Sequence, residues 1–158
     1  MSRPPLDIPD AVRSALALAR VCRIGVMDET GVPLMAPYSF FLEGQSLFLM
    51  PDDFPLNIYL LRETQMDSLN ANPNMAVLID HWEENLNKTG VVLLRGVGEV
   101  LPAPGLEQRR VLGLIRDKYA QYRGVNLKDQ PIIKMDVLSI RHWGEMSHVG
   151  MPLNPPNG

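Results

Sequence analysis

The stretch from residue 69 to residue 82 is the strongest constraint on how this chain can fold. Pro73 disfavours a helical conformation at Asn72, so a helix that reaches this point must end there. A continuous apolar run over 75–79 follows at once, and a run of this length is typical of a strand buried on both faces. The sequence therefore predicts a change from helix to strand at Asn72-Pro73.

Further strands are predicted where apolar residues alternate between turn residues. They cover 22–27, 32–42, 46–50, 91–100 and 132–143. The first three strands are joined by short turns at 28–31 and 43–45, which favours an antiparallel meander. In the first strand, Cys22, Ile24 and Val26 share one face. Many strands with short turns and few helices suit a small barrel better than an open parallel sheet.

Two of these strands carry signs of irregular pairing. Pro33 and Pro37 cannot donate ladder hydrogen bonds, so the second strand is expected to have an open edge or a bulge there. In the last strand, the polar residues change parity between Asp136 and Ser139, which predicts a bulge near 137–138.

Three helices are expected. Asp10 can cap the first, a second is predicted over 57–70, and the third is predicted over 106–122. Tyr119 and Tyr122 keep helical spacing in the third and are expected to be core residues.

Composition limits the class of protein. The 158 residues favour one domain over 1–150, followed by a flexible, Pro-rich tail over 151–158. With 15 basic and 18 acidic residues spread along the chain, a nucleic-acid partner is not expected. There is one cysteine, no signal-peptide core and no apolar run of the length of a membrane span, so we expect a cytoplasmic protein without membrane contact.

The usual motifs of metal and covalent chemistry are missing from the sequence. His81, His142 and His148 do not form a close ligand motif and only Cys22 could add sulfur, so no metal site is expected. No nucleophile elbow, P-loop or dinucleotide-binding glycine pattern is present. If the protein does chemistry, a bound redox cofactor is expected to supply it.

Several short motifs occur in an order that resembles the pyridoxamine-phosphate-oxidase-like split-barrel family. The resemblance covers roughly 12–144, and its parts are 23–26, 37–40, 69–73, Arg95-Gly96 and 141–144. The segment 119–123 with Trp143 further on is similar to a branch of the family described as flavin- or deazaflavin-dependent enzymes.

This resemblance implies a mainly β protein, a six-stranded antiparallel split barrel that forms a homodimer with FMN at the subunit interface. It implies that the phosphate lies near Met50 and Pro51 and near Arg62 and Gln65 of the following helix. The flavin ring would lie against Pro37, Tyr38 and Ser39, and Trp143 would approach it from the other subunit. The implied activity is that of a flavin-dependent oxidoreductase; no catalytic side chain and no substrate are specified.

The chain departs from the family at the phosphate position. Relatives commonly carry a lysine, often preceded by arginine, where this chain has Gln65 and Thr64. Losing a charge-assisted contact costs on the order of 1.5–3 kcal/mol, or about tenfold to hundredfold in affinity. Arg62, one helical turn from Gln65, is the nearest replacement. Two alternatives therefore remain: a deazaflavin-dependent reductase, and a non-catalytic module that binds flavin or haem.

Three other residues are candidates for a functional role. His81 and Trp82 could contact a substrate or partner, but a surface turn is the preferred interpretation. Arg95 could bind a phosphate or carboxylate, or pair with a neighbouring acid, and the sequence leaves both open.

Overall fold

The computed structural model describes residues 5–51 and 66–150. Helix α1 covers Asp10–Leu18 and α2 covers Leu106–Lys118. The strands are β1 (Cys22–Met27), β2 (Pro33–Glu43), β3 (Ser46–Pro51), β4 (Asn74–His81), β5 (Gly90–Val100) and β6 (Ile133–Gly144). Short 3-10 turns cover Leu86–Lys88, Ala120–Tyr122 and Met146–His148, and residues 66–71 are helical.

The six strands form a closed barrel in the order β1-β2-β3-β6-β5-β4, and every pair is antiparallel. The predicted fold class and the predicted meander of β1, β2 and β3 are confirmed. Closure pairs β1 with β4 and β3 with β6, so strands far apart in sequence become neighbours.

The predicted bulge in β6 is confirmed. Arg95 pairs with Ser139 and the next residue, Gly96, pairs with Val137, so Leu138 is the extra residue of β6. A Cβ atom at Gly96 would overlap the Asp136 backbone carbonyl, which explains why glycine is present opposite the bulge.

The two prolines of β2 lie where the strand has a partner on one side. The pairing of β1 with β2 runs without a break from Pro33 to Tyr38, whereas the pairing with β3 begins at Tyr38. Among the residues that the structure describes, an open edge at Pro33 and Pro37 is therefore the one of the two predicted alternatives that is observed.

Two apolar clusters hold the fold together. The larger fills the barrel and includes Cys22, Ile24 and Val26, which share one face of β1 as predicted; that face points inward. It is continued by buried residues of α1 and by Met146 and Val149, which cover one end of the barrel interior. The smaller lies between the outer face of β2 and β3 and helix α2. Within the described residues, no helix is long and apolar enough to cross a membrane.

The helix boundaries differ from the predictions at two places. Pro9 precedes α1 and Asp10 is its first residue, without a side-chain capping bond, so the predicted cap at Asp10 is wrong. Helix α2 ends at Lys118 because Tyr119 has an extended backbone, from which its hydroxyl reaches the Phe40 amide at 3.1 Å. Tyr119 is buried, as predicted. Of the predicted helix over 57–70 only the end is described, and the predicted tail 151–158 lies outside the described residues.

The prediction that 75–79 is buried on both faces is wrong for the isolated chain. Met75, Val77 and Ile79 face the core, but Ala76 and Leu78 are only half-buried on the outer face of β4. In the described structure they belong to neither apolar cluster.

Candidate functional site

The structure brings five of the predicted cofactor residues together where β2 passes β3. Tyr38 pairs with Pro51 and Ser39 pairs with Met50, and Pro37 precedes them in β2. Arg62 and Gln65 lie outside the described residues, so the predicted phosphate contacts of the following helix stay a prediction.

Within this group, only Pro37 has an exposed side chain. The Tyr38 side chain belongs to the cluster inside the barrel, and Met50 packs in the cluster beneath α2. The Ser39 hydroxyl is 2.9 Å from the Tyr122 hydroxyl and is buried. A ligand on the outer surface of this part of β2 would therefore meet Pro37.

Trp143 lies on the same outer face of the barrel as Pro37, but on β6. It pairs with Val91 of β5, and its side chain is 52% exposed. Around it, the outward residues of the neighbouring strands form a mixed apolar and charged surface, which we call the outer strip. The outer strip consists of Pro37, Arg23, Leu78, Asp80, Val91, Leu93, Arg95, Arg141 and Trp143.

Strand register gives the width of the outer strip. Pro37 pairs with Arg23, Arg23 with Leu78, Leu78 with Leu93 and Leu93 with Arg141. Four interstrand steps of roughly 4.8 Å amount to about 19 Å around the convex barrel wall. By the other way round the closed barrel, β6 pairs with β3 only over Ile133–Asp136, so Trp143 is at least seven residues, or roughly 23 Å, further along the strand. Trp143, two residues beyond Arg141, therefore cannot reach a planar ring that lies on Pro37 of the same chain.

The charges of the outer strip are only partly paired. Arg23 and Asp80 form an exposed ion pair at 3.3 Å. Arg95 is exposed and makes no hydrogen bond or ion pair with any residue in the described ranges. Of the two alternatives for Arg95, pairing with a neighbouring acid is thus not observed among those residues.

A second feature of the barrel is a cleft between α1, β2 and α2. Its volume is about 580 Å³, and its lining includes Arg13, Arg20, Asp117 and Lys118. The Lys118 ammonium donates to the backbone oxygens of Leu16 and Phe40, at 3.0 and 3.1 Å. Burial, together with the nearby Arg20 charge, lowers the pKa of Lys118 to about 7.

A third feature lies at the end of β4, where the structure corrects the sequence interpretation. Trp82 is exposed, as in a surface turn, but His81 is buried. The rings of His81 and His148 stack with their centroids 5.9 Å apart, so two histidines that form no ligand motif in the sequence lie together in the structure. Glu83 joins them through a 2.7 Å contact between its Oε1 and Nε2 of His81, which lowers the pKa of the Glu83 carboxyl.

Sequence reasoning missed most of the outer strip and the meeting of His81 with His148. A signal for the strip was present, because Val77-Leu78 and Leu93-Leu94 are apolar on both faces of their strands. The meeting of the two histidines depends on a chain reversal after β6, and residue spacing carries no sign of it.

Comparison with known proteins identifies the fold of this chain. No family model matches the sequence, and no curated protein matches it. Among solved structures, the haem storage protein from Vibrio cholerae is 10% identical with a TM-score of 0.65, over 88% of this chain and 95% of that chain. An F420 reductase is 17% identical with a TM-score of 0.61, over 85% and 98% of the respective chains.

A third similar structure is a candidate pyridoxamine 5'-phosphate oxidase from Listeria innocua. It is 15% identical with a TM-score of 0.59, over 86% of this chain and 98% of that chain. At these identities the likeness establishes the fold. The protein therefore has a pyridoxamine-phosphate-oxidase-like split β-barrel fold.

Proposed function

We propose that the protein is a homodimeric oxidoreductase that binds FMN between two copies of the chain. The observation that carries this proposal is the separation of Pro37 from Arg141, two residues before Trp143, by about 19 Å of convex barrel wall, at roughly 4.8 Å for each of the four strand steps. A ring on Pro37 of one copy can meet a tryptophan at this position only if the second copy supplies it.

The apolar part of the outer strip supports the homodimer. Leu78, Val91 and Leu93 are half-buried, and their strands are apolar on both faces, which is typical of strands covered on both sides. A two-fold dimer would supply the missing cover by placing the same surface of each copy against the other. Arg23, Arg95 and Arg141 border this apolar area.

The residues present fit a flavin at the ring end of the site. An exposed proline and an exposed tryptophan offer flat apolar contacts, and Arg95 offers a cation to an anionic ligand. A bound flavin would supply hydride or electron transfer, while the protein orients the ring and excludes water. Arg62 is the proposed phosphate ligand.

Two other cofactors have a specific observation in their favour. The similarity to an F420 reductase, together with Gln65 in place of the family's lysine, supports a deazaflavin. The similarity to a haem storage protein supports a haem-binding module without turnover. The absorption spectrum of freshly purified protein separates these cases, because flavin, deazaflavin and haem absorb in different bands.

The first experiment is a titration with FMN, with Trp143→Phe as the test variant and Trp82→Phe as its control. Trp82 is also exposed, but it lies outside the outer strip. Because phenylalanine keeps part of the aromatic contact, we expect Trp143→Phe to weaken FMN binding about threefold, less than the roughly tenfold of a whole contact, and Trp82→Phe to leave it unchanged. A protein that stays colourless with FMN and shows no binding would refute the FMN proposal.

The second experiment asks whether Trp143 acts from the partner copy. Arg62→Ala and Trp143→Ala chains are unfolded together, refolded as a mixture and titrated with FMN. If the two residues belong to different copies at one site, each mixed dimer has one intact site, about a quarter of all sites after statistical mixing. Recovery of tight binding by the mixture is the expected result; equally weak binding by the mixture and by both single variants would contradict the arrangement.

A further inference from the structure

We propose that His81, Glu83 and His148 form a binding site for a divalent transition-metal ion, with zinc as the preferred metal. The ligand atoms of the three side chains lie within 4.8 Å of one another. The site is at the end of the barrel where β4 finishes, and none of its three side chains belongs to the outer strip.

The present spacing is close to that of a metal centre. Zn²⁺ binds nitrogen and oxygen at about 2.0–2.2 Å, which puts the ligand atoms of a tetrahedral site roughly 3.4 Å apart. Nε2 of His81 and Oε1 of Glu83 are 2.7 Å apart and must move slightly apart to bind one ion. Pairs of ligand atoms that lie up to 4.8 Å apart must move closer together. Glu83 and His148 are only half-buried, so their side chains have room for these small rotations.

His148 has no competing role in the described part of the chain. Its ring stacks on that of His81 with 27° between the planes, but its ring nitrogens make no hydrogen bond to any described residue. The His148 imidazole, stacked beside the His81–Glu83 pair, can therefore supply the third ligand atom for a metal ion.

Thr89 forms hydrogen bonds to both segments that carry the ligand residues. The Thr89 hydroxyl accepts a hydrogen bond from the Glu83 amide and donates one to the Glu83 carbonyl, both at 3.1 Å. The Thr89 carbonyl accepts from the Glu145 amide at 3.0 Å, at the start of the turn that carries His148. The loop of Glu83 and the turn of His148 are thus fixed to the same residue.

The backbone explains how His148 returns to His81. Gly144 has a positive φ of 78°, which favours glycine, and there the chain leaves β6 and folds back. Gly90 lets this returning segment pack closely, because a Cβ atom there would lie 2.5 Å from the Glu145 carbonyl oxygen. In the β4–β5 register Gly90 is the partner of His81, so the returning segment arrives at the site.

The ligand set indicates which metals fit. Two imidazoles and one carboxylate suit zinc and its first-row neighbours, whereas magnesium and calcium prefer an all-oxygen set. Three protein ligands leave a fourth position for water or for a small ligand.

The test is binding of Zn²⁺ and Co²⁺ to the full chain without a polyhistidine tag and without added flavin. We expect binding with one metal per chain and, for Co²⁺, the visible absorption of a tetrahedral complex. His148→Ala and Glu83→Gln should each weaken binding by at least about a hundredfold, since changes to groups that only orient a ligand already cost tenfold to hundredfold. His142→Ala, at an exposed histidine outside the group, should bind like the unmodified chain.

Two results would overturn the proposal: no Co²⁺ spectrum at millimolar metal, or equal affinities of Glu83→Gln and His142→Ala. Glu83→Gln keeps a hydrogen-bonding oxygen near His81, so it remains informative even if His148→Ala folds poorly. Because the protein is free of flavin, the result does not depend on the proposed oxidoreductase function.

Discussion

Lys118 should make the stability of this protein depend on pH in a range where few other groups titrate. Its ammonium is mostly buried between α1 and β2 and lies 3.8 Å from the Phe40 ring centroid. Burial and the charge of Arg20 lower its pKa from 10.5 to about 7. Between these values the unfolded chain binds more protons at Lys118 than the folded chain, so the free energy of unfolding must rise with pH.

The expected magnitude follows from the two pKa values. Each pH unit between them contributes at most about 1.4 kcal/mol, and the slope is smaller near pH 7, where the folded chain is partly protonated. From pH 7 to pH 9 we expect a gain of about 2 kcal/mol. The range ends at pH 9 because burial raises the pKa of the Cys22 thiol to about 12, and its ionisation in the unfolded chain then lowers stability.

The assay is urea unfolding at pH 6, 7, 8 and 9 of the unmodified chain, of Lys118→Met and of Lys128→Met. Lys128 is exposed and serves as the control. The difference between the unmodified chain and Lys118→Met isolates the titration of Lys118, because other groups cancel. That difference should grow in favour of the unmodified chain up to pH 9, whereas the Lys128→Met difference stays flat. A flat difference for Lys118→Met would refute the lowered pKa.

Three further predictions concern packing. Gly96→Ala should lower the free energy of unfolding by at least about 2 kcal/mol, because its Cβ atom would overlap a β6 carbonyl. Gly113→Ala, in open space on α2, should raise the free energy of unfolding by about 0.5–1 kcal/mol. Urea unfolding of both variants should therefore show changes of opposite sign. Tyr119→Phe leaves the buried Phe40 amide without its hydroxyl acceptor and should cost about 1–3 kcal/mol, and a value near zero in the same assay would contradict that role. Cys22 should react with iodoacetamide at pH 8 only when the chain is unfolded, and labelling of the folded protein as fast as of the unfolded protein would disprove its protection.

Local features of the fold could be predicted because each has a local cause. The bulge of β6 is visible in the sequence because the polar residues change face between Asp136 and Ser139, and a strand can change face only by inserting a residue. Pro33 and Pro37 mark an open edge because they lack a donor. The end of α2 at Lys118 had no such sign, since it depends on a hydrogen bond to a strand far away in sequence.

The candidate sites were harder to predict because closure of the barrel creates them. Residue types alone identify Pro37 and Trp143 as contacts for a ring, but only the register across the intervening strands puts them at opposite ends of one surface. His81 and His148 meet because the backbone of Gly144 turns the chain back, and one sequence does not distinguish that turn from an ordinary loop.

The contact of α1 with residues 146–150 has a consequence for how the chain folds. A Cβ atom at Gly150 would overlap the backbone of Ala15 and Ala19, so the two segments touch although more than a hundred residues separate them. Contacts between such distant segments form slowly, because a large loop must close before they gain any stability. We therefore expect the contact of α1 with residues 146–150 to form among the last steps of folding, after the strands have paired. During synthesis α1 can pack on β2, but the part of its apolar face that meets this segment stays uncovered until the segment after β6 is complete.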